Sequence, residues 1–208
     1  LKSSQIIGDY NLDLLSNDFI SAFLEGRADT FDDGYFPTRG LKSHASYSWT
    51  FGGFPNRFNN FHTVSAGVKG VVTSGDVFAF LPYANLRFLL GGDVPVAYFN
   101  AVGGSLAGRY VDQQLPFIGV TNLWAMENIL TMAGVDFRFK LYKTHYLTGI
   151  LNYVRDCDHL SRYFQGAGYF GAGLEYAYDT IFGPLKANIH WSNMTGKVGF
   201  YISAGYNF

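Results

Sequence analysis

The side chains able to do chemistry in this chain are few and scattered. Hydrolysis by a serine nucleophile needs Ser, a His base and an acid brought together, often with the Ser in a G-x-S-x-G turn. The nearest match is Gly103-Gly104-Ser105-Leu106-Ala107. It lacks the last Gly and no helical pattern follows it, so it reads as loop glycine. His62, Asp158, His159 and Ser161 have the types for a general-base hydrolase but are spread over two connections, where solvated polar residues are ordinary. Asp32-Asp33 precedes Gly34 and reads as turn chemistry. His44 and His190 alternate with polar neighbours and read as residues of a hydrated interior. No ligand spacing matches a metal site. The single Cys157 has no disulfide partner and no CxxC context. The expectation is a chain with no catalytic residue, no metal and no cofactor of its own.

Composition narrows the class. Hydrophobic residues make up 48% of 208 and charged residues 15%, well under the roughly 25% charged usual in soluble domains. Aromatics reach 18%, with 15 Tyr and 20 Phe, and there are 25 Gly. Mean hydropathy is only +0.05, and no stretch approaches the roughly 18 uninterrupted apolar residues of a membrane helix. The net charge of -1 gives no basic footprint, which argues against nucleic acid as a partner. Leu1 to Leu15 lacks the charged-then-apolar layout of a secretory signal, so a mature product or a fragment of a longer protein is expected.

The periodicity supplies the elements. In the last nine residues Phe200, Ile202, Ala204, Tyr206 and Phe208 share one face, while Tyr201, Ser203, Gly205 and Asn207 share the other. Period two is a strand. Similar alternation recurs over Leu185–Trp191, Phe170–Asp179, Leu147–Val154, Ile129–Leu141, Ala84–Leu90, Thr63–Thr73, Leu41–Phe51, Ile20–Asp29 and Asp9–Leu14. Leu147–Val154 is the least clean, because Ile150 and Val154 fall on its polar side. These make about ten strands, close to the roughly 9–11 residues a tilted strand needs to cross a bilayer. A soluble sandwich also alternates. Here, however, the polar face carries Lys, Arg, Asp or Glu on nearly every strand, and Trp49, Trp191 and many Tyr of the apolar face fall near strand ends, as in an aromatic belt. The fold class read from this is all-β: a transmembrane antiparallel β-barrel over residues 1–208. Lipid satisfies no open sheet edge, so the strands must form part of a closed ring.

With Phe208 placed at the periplasmic end, the turns at 32–40, 73–76, 142–144 and 179–184 fall on that side. The longer stretches 52–60, 91–128, 155–169 and 193–197 fall outside, the usual barrel arrangement. Gly91 to Asn128 is too long for an ordinary connection. Val96 to Val102 has strand character, but a crossing there would make the count odd, so a loop folded back into the barrel is expected. The interior charges Glu25, Arg27, Asp29, Lys42, Lys69, Arg87, Asp136, Arg138, Lys140, Glu175 and Lys186 mix both signs. That pattern suggests ion-pair networks rather than a selective pore.

Four segments carry a family resemblance. Tyr35-Phe36-Pro37-Thr38-Arg39-Gly40 resembles a periplasmic turn of BamA-like outer-membrane barrels. Gly103-Gly104, then Gly108-Arg109-Tyr110, resembles the glycine pair and the tip of their inward loop, with Gly and Arg exchanged relative to the usual Arg-Gly-aromatic order. Gly183-Pro184-Leu185 resembles the turn before their penultimate strand, and Phe200–Phe208 their last strand. The order of all four holds. Within that superfamily the chain looks most like the barrels that follow patatin-like phospholipase domains in Bacteroidetes.

The resemblance implies a Gram-negative outer-membrane location and a barrel of sixteen strands, of which this chain would be the C-terminal part. Closure as a small barrel, or completion by a second copy, stays open. It implies a barrel that anchors an upstream lipase domain and can export it, or that assists protein insertion. Implied partners are outer-membrane lipid and lipopolysaccharide, and the barrel-assembly machinery, which would read Phe200, Ile202, Tyr206 and Phe208. A buried guanidinium needs carboxylate partners. Arg109, with Gly108 and Tyr110 beside it, is therefore expected to pair with Asp136 or Glu175 and lock the loop to the wall. A small barrel with rim hydrolase activity and a passive pore are the alternatives.

Overall fold

The computed structural model describes residues 18–54, 60–92, 94–104 and 111–205. Nine long strands follow one another up and down in chain order: β1 (Asp18–Asp29), β2 (Leu41–Phe54), β3 (Phe61–Gly70), β5 (Phe78–Gly91), β9 (Ile129–Tyr142), β10 (His145–Cys157), β11 (Ala167–Tyr178), β12 (Leu185–Ser192) and β13 (Val198–Ala204). A short β4 (Val72–Ser74) continues β3 and pairs with the start of β5. All neighbours pair antiparallel, and the sheet order is the chain order. The expected strand at 9–14 lies outside the described residues. The other nine expected strands are all present.

The sheet has two chemically different faces. Ile20, Leu24, Trp49, Leu174, Ile189, Trp191, Phe200 and Ile202 stand exposed on one of them. Arg87, Arg138, Thr148, Asn152, Asn188 and His190 are buried on the other. Alternation fixes this, because a one-residue slip would move every side chain to the wrong face. An apolar face turned outward, with polar groups turned in, is inside-out for a soluble sheet and right for a strand wall in lipid. His145 and Tyr178 stack 4.7 Å apart at the short-turn end, and Tyr47 bonds the His62 ring at 2.8 Å near the other. The outward face thus ends in aromatics both ways.

The long connection between β5 and β9 folds into the concave side. Within it β6 (Asn100–Val102), β7 (Gln114–Leu115) and β8 (Trp124–Met126) form a separate three-stranded sheet. The strand character at Val96–Val102 is therefore real over its last three residues, but it builds the inner sheet and leaves the wall's up-down order intact. Val102, Leu115, Phe117, Val120 and Met126 of this loop pack on Leu130, Met132 and Val154 of the wall. That cluster explains why Val154 sits on the polar side of its strand: the loop covers it. Among the described residues no pairing joins β1 to β13, which are the two ends of the described strand order.

Phe117 is fully buried at the centre of this cluster. Phe117→Ala is expected to cost roughly 3–5 kcal/mol, as for other buried aromatic truncations. Thermal unfolding in detergent checks it; a change below about 1 kcal/mol would mean that the loop is not packed as described.

Candidate functional site

The site is the inner loop and the wall that holds it. Arg87, on the inward face of β5 and only 7% exposed, has no carboxylate partner among the described residues. Its guanidinium donates to the carbonyl of Tyr98 at 3.1 Å and to Oδ1 of Asn100 at 2.5 Å. Asn100, fully buried, donates from Nδ2 to the carbonyls of Glu127 at 2.7 Å and Asn128 at 2.9 Å. One amide thus ties the entering and leaving stems of the loop to the same strand. A charged donor satisfied by oxygen dipoles is a strong bond in a dry place.

The far side of the loop is pinned to β11 and β12. Gly119 has φ +98°, and its carbonyl accepts from Ser192 Oγ at 3.0 Å and Thr195 Oγ1 at 3.1 Å. A Cβ there would lie 2.7 Å from the Trp191 carbonyl oxygen and run into the Ser192 side chain, so both conformation and space require glycine. Ile118 lies over Gly171 and Gly173, where the wall has no side chains. The Glu127 N–H donates to Asp156 at 3.1 Å, and the Glu127 carboxyl is pushed up by its hydrogen bond to Asp158 and by burial. The glycine pair Gly103 and Gly104 both have positive φ. The Gly103 N–H reaches the Leu115 carbonyl at 3.0 Å and the Gly104 N–H the Val120 carbonyl at 2.6 Å, while Gln114 Nε2 donates to the Gly103 carbonyl.

Below the loop is a cavity of about 370 Å³ that touches seven wall strands from Lys42 to Lys186 and has Gly104, Pro116 and Ile118 as its roof. Asp136 and Glu175 both face it, as the alternation requires. Lys69 reaches Asp136 at 2.7 Å and Lys186 reaches Glu175 at 3.3 Å. Lys42 pairs with Asp29 at 3.0 Å. Arg109, Gly108 and Tyr110 lie outside the described residues. So do Tyr206 and Phe208; Phe200 and Ile202 stand exposed on the outward face of β13.

The short-turn end is stoppered. Asp32 accepts from the Thr38 N–H at 2.8 Å and the Thr38 hydroxyl at 2.5 Å, and Asp33 accepts from the N–H groups of Tyr35 and Phe36, both at 2.7 Å. These bonds make the turn and swing Phe36 into the mouth. Phe36 stacks on Tyr146 at 4.0 Å and 9°. Arg138 stands 5.8 Å from its ring and donates to the Pro37 carbonyl.

The candidate hydrolytic residues do not come together. His62 lies on the outward face among Tyr47 and Trp49. Asp158, His159 and Ser161 are exposed on a connection from which β5 and β9 separate it. The Cys157 thiol is buried and donates to the His159 carbonyl at 3.3 Å. Among the described residues no group of three or more His, Cys, Asp or Glu is placed to hold a metal. Arg87 and Asn100 were not distinguished by sequence, although apolar residues on the polar face, such as Leu130, Met132 and Val154, already marked the wall they serve.

Asn100→Ala takes one acceptor from the Arg87 guanidinium and the side-chain donor from the Glu127 and Asn128 carbonyls. It is expected to cost about 3 kcal/mol and to open residues 94–128 to proteolysis, read as cleavage rate and thermal midpoint. Asp32 is held down to about 2, chiefly by the Thr38 hydroxyl and then the Thr38 N–H. A depressed carboxyl stabilises the turn above its unfolded value of 3.8 and loses that contribution as pH falls towards 2. Pepsin cleavage at Phe36 is therefore expected to rise as pH drops through this window, and to be high throughout it in Asp32→Asn.

No curated protein matches the chain. A family model described as the OMP85 superfamily matches residues 3–208, nearly its whole length. With the all-β antiparallel wall, the outward apolar face and the inward loop, that match shows that the chain belongs to the OMP85 superfamily.

Proposed function

We propose that this chain is the wall and inner loop of an outer-membrane β-barrel that assists the insertion or translocation of proteins. The carrying observation is the contrast between a lumen filled by a pinned loop and a last strand that is only briefly paired. β13 pairs with β12 over only seven residues, Val198 to Ala204, while β10 pairs with β9 over thirteen. A briefly paired strand backed by an apolar face is a seam at which an incoming strand can add. Lys42, Lys69 and Lys186 around the cavity pair with carboxylates and the loop fills the space above them, which supports assembly or translocation over a passive pore.

The finer reading follows the resemblance. The barrel anchors an upstream patatin-like lipase domain in a Gram-negative outer membrane, contacts lipid and lipopolysaccharide, and is itself assembled through Phe200, Ile202, Tyr206 and Phe208. Arg109 follows Gly104 by five residues, a span of up to roughly 17 Å when extended. From the cavity roof that is enough to reach Asp136 or Glu175, in competition with Lys69 and Lys186. Missing strands come from upstream sequence or from a second copy.

The test is reconstitution of the natural protein in lipid vesicles with a urea-unfolded barrel as client. Faster client folding than in empty vesicles, read by heat-modifiable gel mobility, is expected, with a loss in Arg109→Ala. No acceleration would overturn the assembly reading, and steady ion conductance in planar bilayers would favour the pore. Unchanged loop proteolysis in Arg109→Ala would remove the lock alone. A native mass well above 23.1 kDa is expected if an upstream domain exists.

A further inference from the structure

Every Lys and Arg on the described wall strands faces inward except one. Arg27, Lys42, Lys69, Arg87, Arg138, Lys140 and Lys186 share the inward parity of their strands, whereas Arg155 shares the outward parity of Tyr153 and Leu151, both exposed. It sits at the long-loop end of β10, opposite Thr131 and Gly168. Nothing anionic answers it. Among the described residues it has no carboxylate within ion-pair distance, and its Nε is buried without a hydrogen-bond partner. The acids beside it in sequence are turned elsewhere: Asp156 faces inward and accepts the Glu127 N–H, and Asp158 bonds the Glu127 carboxyl.

The connection after β10 folds over this arginine on the same outward side. Its 3-10 helix, Leu160–Gln165, brings the Tyr163 ring to 5.6 Å from the Arg155 guanidinium, and the Tyr163 hydroxyl meets Thr131 Oγ1 at 2.6 Å. No residue of that helix is buried. Leu160 is 61% and Phe164 86% exposed, with the exposed Arg162 between them. An outward-facing cation under a tyrosine, a second and exposed cation on the same 3-10 helix as that tyrosine, and two bare apolar side chains together match the boundary between acyl chains and headgroups.

We propose that Arg155 and Arg162 form a binding site for the phosphorylated headgroup of a lipid in the leaflet at the long-loop end, with Leu160 and Phe164 lying among its acyl chains. The two terminal nitrogens of the Arg155 guanidinium carry no carboxylate among the described residues, and such a planar pair is a donor set that phosphate accepts. Burying it against lipid without an anion would be costly, which is the argument for an external one. The inference rests on the reading that these strands cross a membrane.

Native mass spectrometry of the detergent-extracted protein tests it, with bisphosphorylated lipid A and its dephosphorylated counterpart as probes. The native protein is expected to retain the phosphorylated probe about tenfold better. The preference should vanish in Arg155→Gln/Arg162→Gln and return in Arg155→Lys/Arg162→Lys, with the heat-modifiable band confirming the fold of each. Equal retention of the two probes, or a preference that survives the double Gln variant, overturns the site. Competition by millimolar inorganic phosphate would overturn the assignment to lipid. In Phe164→Trp, quenching by brominated acyl chains is expected, and its absence overturns the apolar half. Resistance to carbonate extraction separates the two levels: a protein washed off the membrane sinks the spanning reading itself, whereas an embedded protein with no phosphate preference sinks only this site.

Discussion

Everything in this molecule follows from one constraint: a backbone in hydrocarbon has no water to bond to. Each N–H and C=O must find a partner within the protein. The up-down antiparallel order meets that demand with the shortest connections, each strand pairing with its sequence neighbours through residues such as Gly149↔Leu174 and Gly149↔Phe137. Once the ladders are fixed, alternation does the rest. Side chains facing lipid become apolar, and those facing in become the only place where charge can sit.

The inward face solves two different problems along its length. Towards the short turns it is wet, and lysines pair with carboxylates around a cavity. Towards the long loops it is dry, and an apolar cluster replaces the ion pairs. Arg87 and Asn100 belong to the dry half. There a charge is held by carbonyl dipoles, whose geometry the loop itself dictates. That division explains why the loop is not a passive filler. It supplies the oxygens without which Arg87 could not stay buried.

Much of the wall was legible because period two is a strong signal over ten or more residues. Leu185–Ser192 and Val198–Ala204 read directly as strands, and the turn-and-loop sides followed from counting. Asp32 and Asp33 were legible as turn residues because short acidic side chains near glycine bond backbone N–H groups. The inner sheet was not, since three-residue strands carry no periodicity. Val96–Val102 looked like a possible crossing and instead contributes Asn100–Val102 to a separate layer. The irregularity at Ile150 and Val154 was the most informative detail. It looked like noise in an amphipathic pattern and is the imprint of the loop that covers Val154. Arg87 gave no sign of its role, because its partners are carbonyl oxygens, which sequence does not display.

The stopper at the short-turn mouth belongs to the first hairpin of the wall. Phe36 is carried by the turn between β1 and β2, yet it stacks on Tyr146 of β10 and stands beside Arg138 of β9. The turn therefore spans the opening from the first two described strands to strands in the middle of the sheet. The hairpin and the mouth are geared together. A hairpin that swings away from the wall must draw its own bolt, and a mouth held shut by that bolt keeps the hairpin in line. Any displacement of that hairpin also takes Phe36 off Tyr146 and uncovers the mouth.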